Sequence, residues 1–211
     1  METDRITLRI CCISLILILV CEISGAVIIE KTDLKPMIII GLIRFIEIIF
    51  LVLLCYVEKK EFTCLGMGQG QVLTGIKKGI IWSLGFAVVV IIAFIVLWFL
   101  KINPLKMLHI RLPKDSLECA LFFIVGGLIG PVAEEIYFRG ILYGFLRRWG
   151  ILPALSLSSL FFVLLHSSFG LTQIIGSILF ALAYEIEGKL MAPVVIHVSG
   201  NMALFSLSFF N

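Results

Sequence analysis

Charge is what this chain has least of. Only 15% of its 211 residues are Asp, Glu, Lys or Arg and 61% are hydrophobic, where a soluble domain carries about 25% and about 45–50%. With a mean hydropathy of +1.15, the composition is that of a membrane protein. No basic patch interleaved with aromatic residues occurs, and no glycine-rich phosphate loop, so neither nucleic acid nor nucleotide is an expected partner. The six cysteines include no C-x-x-C pair, which argues against a thiolate metal site, and they read as small apolar packing residues. The H-E-x-x-H motif of helical zinc proteases is missing as well. Nor is there a repeat or a low-complexity linker, so one domain is expected over residues 1–211.

What is present is a succession of apolar runs long enough to cross a bilayer, for which about 20 residues suffice. The expected fold is an all-α, polytopic bundle of about seven transmembrane helices, at residues 8–29, 36–57, 79–100, 116–148, 153–166, 171–186 and 190–210. The first run follows Arg5 and Arg9 and contains Ser24-Gly25-Ala26, which also suits a cleaved signal peptide. It continues past that point and reads as a retained span. The fourth run is too long for one straight span, and Gly126-Gly127 and Gly130-Pro131 predict a kink or a restarted helix within it. The fifth and sixth are short and suggest helices in the bundle interior, the fifth closed by the residues after His166. With seven spans, segments on the N-terminal side hold nine Lys and Arg against six opposite. The bias predicts a cytoplasmic N-terminus in the cell membrane.

Ionisable residues inside spans are costly and mark function or a partner. In "GPVAEEIYFRG", residues 130–140, Glu135 and Arg139 are four apart and can pair along one helix face. Glu134 is turned about 100° away, which leaves it available for chemistry. His166 follows Phe162 by four residues, and Asn201 follows His197 by four. Counted along the helices at 1.5 Å per residue, Glu134, His166, His197 and Asn201 all reach one layer, roughly 13–20 Å from the side of Arg147 and Arg148. The same residues suit several chemistries. A carboxylate base with amide and imidazole donors is one. A zinc site of Glu134, His166 and His197 is another, since two histidines and a carboxylate form a known catalytic set. A non-catalytic relay in a transporter or immunity protein, or purely structural bridging, would also use them.

The three patterns together, Glu134-Glu135…Arg139, Phe162…His166 and His197…Asn201, resemble the EExxxR, FxxxH and HxxxN motifs of the CAAX protease and bacteriocin-processing family, also called Abi. Order and spacing agree, over about residues 117–205. Residues 1–115 carry no signature of it, and the core would be residues 116–211. The resemblance implies an intramembrane endopeptidase of glutamic type with no metal cofactor, zinc being the alternative. It implies Glu134 as the base that activates water, His166 as a second holder of that water, and His197 with Asn201 as an oxyanion hole. Glu135, Arg139 and Phe162 would support the site. The implied substrate is a hydrophobic or lipidated peptide cut near the membrane surface, in a bacterial or archaeal cell membrane.

Overall fold

The structure, a computed structural model, describes residues 6–107, 110–166 and 170–210. Seven helices account for most of them, with no strand among the described residues: α1 (Leu8–Lys31), α2 (Pro36–Lys59), α3 (Gln71–Phe99), α4 (Ser116–Trp149), α5 (Ile151–Leu164), α6 (Leu171–Glu187) and α7 (Met191–Leu207). Arg5, and residues 167–169 that close the fifth run, lie outside the described residues. The termini follow ordinary helix chemistry. The Thr7 hydroxyl accepts from the Ile10 amide at 3.3 Å to open α1, and Pro36 occupies the first turn of α2, where no backbone donor is missed. Gly188 ends α6 at φ +62°, donating its N–H to the Tyr184 carbonyl at 2.9 Å. α1, α2, α3, α4 and the α7 segment extended to Phe210 are long and apolar enough to cross a membrane. The chain is an all-α, multi-pass membrane bundle.

α4 departs from the expectation of a restarted helix. It runs unbroken from Ser116 to Trp149, and the proline is absorbed by winding rather than by a break. Val125–Ile129 and Ile136–Tyr143 are π-helical, flanking the α-helical turn Gly130–Glu135 that carries both glutamates. A π-turn spends one extra residue per turn and so accommodates the missing amide of Pro131. The start of α3 also differs: its helix begins at Gln71, just over two turns before the expected start at residue 79, and carries Lys77 and Lys78 within it. α5 and α6 correct the expectation of wholly interior helices. Each buries one face (Ala154, Phe162 and Val163; Phe180, Ala181 and Tyr184) while Leu152, Leu160, Leu164, Ile175 and Ile186 remain exposed on the other. They are short because they pack against each other and α4, not because lipid is excluded from them.

The bundle is arranged so that α4 contacts α2, α5 and α7, with α6 against α5 and α7, and α3 along α7. Two helices approach most closely at a pair of glycines. Gly75 and Gly79, four apart on α3, lie against Met191, Ala192 and Val195 of α7, in the small-residue spacing that lets membrane helices touch backbone to backbone. A Cβ on Gly79 would sit 2.6 Å from the Val195 Cβ and 2.8 Å from the Ala192 carbonyl oxygen. Neither atom can swing away, so the helices themselves must part. Gly79→Ala is expected to lower stability by about 1–3 kcal/mol, read as a lower melting temperature in detergent. A variant melting with the wild type would contradict the α3–α7 packing.

Candidate active site

Three helices bring the predicted residues together. The α-turn between the two π segments of α4 directs Glu134 and Glu135 to different partners, α5 ends just before His166, and α7 supplies His197 and Asn201. The Glu134 Oε2 atom lies 3.7 Å from His166 Nε2 and 3.9 Å from His197 Nε2. The carboxylate is partly accessible, with 20% of its side chain exposed, as is His166 with 26%. A water or a peptide carbonyl can therefore reach them from the side, and neither separation is a direct hydrogen bond.

Glu135 is entirely enclosed and serves two partners. Arg139 Nη1 donates to its Oε1 at 3.1 Å, and His197 Nδ1 lies 2.8 Å from the same oxygen. The i, i+4 ion pair is as the spacing predicts; the histidine contact, across 62 residues of sequence, is not legible from spacing. Arg139 also donates through Nη2 to the Ser177 carbonyl on α6 at 3.0 Å. Its guanidinium lies over the Phe162 ring at 4.4 Å and the Phe180 ring at 5.2 Å, where aromatic faces attract a cation. Phe162 thus supports the site from below, and Phe180, which sequence reasoning did not single out, stacks on the His197 imidazole at 4.4 Å between centroids. Its only sequence signal was an aromatic residue within an apolar helix.

These contacts fix the histidine tautomers. The Phe162 carbonyl, 2.8 Å from His166 Nδ1, can only accept, so Nδ1 carries the proton. Glu135, already neutralised by Arg139 as a carboxylate, likewise only accepts, so His197 Nδ1 donates to it. In each ring the Nε2 atom is the one turned to Glu134. Asn201 donates through Nδ2 to the Gly126 carbonyl on α4 at 2.9 Å, which identifies its nitrogen and locks the amide plane.

A second charged group sits on the α2 side. Arg44 bridges Glu22 of α1 at 2.8 Å and Glu47 at 2.9 Å. Glu47 is 1% exposed, and Arg44 and Glu47 both lie within electrostatic reach of Glu134. The triad ties α1 and α2 to the layer that holds the base.

Comparison with known proteins points the same way. Residues 116–203 match the family described as type II CAAX prenyl endopeptidase Rce1-like. Those residues contain all of the site just described except the Arg44 triad. The likeness to that family is confined to these residues. A curated relative, the membrane-embedded CAAX protease MroQ of Staphylococcus aureus (strain USA300), is 32% identical over 98 residues. The match covers 41% of this chain and 39% of the relative, so the chain spans less than half the length of that protein. No solved structure gives a significant match. The matched segment runs from the start of α4 into α7, and α1 to α3 lie outside it.

Proposed function

We propose that the protein is an intramembrane endopeptidase of the glutamic type. The observation that carries this reading is the approach of Glu134 Oε2 to the Nε2 atoms of two histidines whose other ring nitrogens are already engaged. A water seated between Glu134 and His166 gives one hydrogen to the carboxylate and the other to the His166 lone pair. That aims its oxygen lone pair at a peptide carbonyl. Glu134 takes the proton as the C–O bond forms and passes it to the leaving amine as the C–N bond breaks. His197 and the second N–H of Asn201 meet the developing oxyanion. With Nδ1 held by Glu135, His197 turns its Nε2 edge to the oxyanion and donates to it when that nitrogen carries a proton.

The substrate class is a hydrophobic or lipidated peptide segment reaching the site from the bilayer, in a bacterial or archaeal cell membrane with the N-terminus cytoplasmic. A zinc enzyme is the second reading, and the tautomers favour it specifically, since two Nε2 lone pairs beside a carboxylate form a catalytic zinc set. Against it, no three His, Cys, Asp or Glu among the described residues stand at metal-holding spacing.

The test uses the protein in proteoliposomes with two quenched fluorescent peptides, one ending in an unmodified apolar tail and one carrying a prenylated cysteine near its C-terminus. Cleavage of at least one is expected, undiminished after dialysis against a strong chelator. Failure on both would remove the proposed activity. One equivalent of bound zinc, whose loss abolishes cleavage and whose return restores it, would overturn the glutamate mechanism and leave the protease.

A further inference from the structure

In the first π segment of α4 the Gly130 N–H reaches back five residues to the Val125 carbonyl. The same step sets residue 131 against the carbonyl of Gly126, and residue 131 is proline, which has no N–H to give. The α-type donor for Gly126 would be Gly130, already directed at Val125. The helix therefore leaves the Gly126 carbonyl unserved from within, and the amide that serves it is Asn201, at 2.9 Å. A carbonyl in a partly buried helix is better served than left without a donor, which favours this bond.

We propose that Pro131 is a positioning residue for the oxyanion hole: by withholding its backbone donor it makes the Gly126 carbonyl a clamp for the Asn201 amide. The inference rests on the oxyanion role given to Asn201 above. An asparagine amide rotates broadly about its last torsion and can present either oxygen or nitrogen. One N–H fastened to a carbonyl removes that freedom and turns the second N–H to a fixed direction. Gly126 lies about one turn before Gly130, and Glu134 Oε1 folds back to within 4.0 Å of where a Cβ on Gly130 would stand. The Gly126-Gly127 pair leaves room for side chains of α7 on this face, since a Cβ on Gly127 would meet the Met202 thioether end at 2.9 Å. A short asparagine side chain can then reach the backbone.

The test is a double-mutant cycle on the full chain in proteoliposomes. Pro131→Ala returns an N–H that competes for the Gly126 carbonyl and frees the Asn201 amide. It should lower kcat roughly 10-fold with KM unchanged, while the melting temperature holds or rises, because a proline has left a helix interior. Pro131→Gly, which restores the same donor, should behave alike in kcat. Asn201→Ala alone should cost about 10²-fold, the usual weight of an oxyanion donor, and clearly less in the Pro131→Ala background. Pro131→Ala at full kcat, or losses that simply multiply, would overturn the clamp while leaving the oxyanion role standing. Asn201→Ala at full activity would sink the oxyanion role itself. Recovery of Asn201→Ala to wild-type kcat by Pro131→Ala would reduce Asn201 to a helix cap and overturn the clamp too.

Discussion

Glu134→Gln is expected to abolish peptide cleavage and leave the protein folded, with substrate still bound. Among the described residues the side chain has no polar partner closer than the 3.7 Å to His166, so exchanging one carboxylate oxygen for an amide breaks no bond seen to hold the fold. Glutamine keeps the shape and the remaining oxygen but cannot accept a proton from water at neutral pH. A positioned general base contributes about 10²–10⁴-fold, and a loss of that size in kcat, with an unchanged melting temperature, is the expected result. Retention of more than about a tenth of the activity would remove Glu134 from the role of base. Glu135→Gln forms the contrast, because that carboxylate holds Arg139 and His197 at once and its loss disturbs structure before chemistry.

This difference between adjacent glutamates was half legible in the sequence. The spacing of Glu135 and Arg139 announces their pair, since residues four apart on a helix are neighbours whatever the tertiary fold. Helical periodicity likewise set Glu134 on another face, and chain length with 1.5 Å per residue put the histidines at its depth. Spacing could not show that Glu135 also grips His197, because that contact depends on how α7 lies across α4, a lateral relation that no one-dimensional pattern encodes. What serves the carbonyl opposite Pro131 was hidden for a related reason. Proline in a helix threatens an unpaired carbonyl, and spacing alone predicts a kink or a restarted helix. The helix does not restart, π-turns flank the proline turn, and the donor to Gly126 comes from Asn201 on another helix. The Gly75/Gly79 crossing was there to be read in the sequence as glycines four apart, but its partner helix was not. The Arg44 triad followed the same rule: Arg44 and Glu47, three apart, were predictable neighbours, whereas Glu22 joined them only by tertiary packing.

Arg139→Ala should be the most damaging single change to stability. The guanidinium is completely enclosed. It is the cation that neutralises Glu135, and it also bonds the Ser177 carbonyl of α6 and lies on the Phe162 ring. Truncation leaves the Glu135 carboxylate buried without its counter-charge, a situation that typically costs about 3–5 kcal/mol. The pair has little slack to absorb this, since Glu135 Oε2 and Arg139 Nε have no hydrogen-bond partner among the described residues. Low yield and a melting temperature well below wild type in detergent are therefore expected. Arg139→Lys should rescue only in part, because an ammonium cannot serve Glu135 and Ser177 in the plane of the guanidinium while facing an aromatic ring. The double variant Glu135→Leu with Arg139→Met separates the two consequences. Removing both charges together leaves no buried ion, and such replacements are often neutral or stabilising, so the double variant should melt well above Arg139→Ala. It should still be inactive, because His197 has lost the acceptor at 2.8 Å that fixes its Nδ1–H and that holds the ring as a donor to the oxyanion. A double variant that is both stable and active would show that Glu135 contributes nothing through His197, and an Arg139→Ala variant that melts with the wild type would show that the buried pair does not hold α4 to α6.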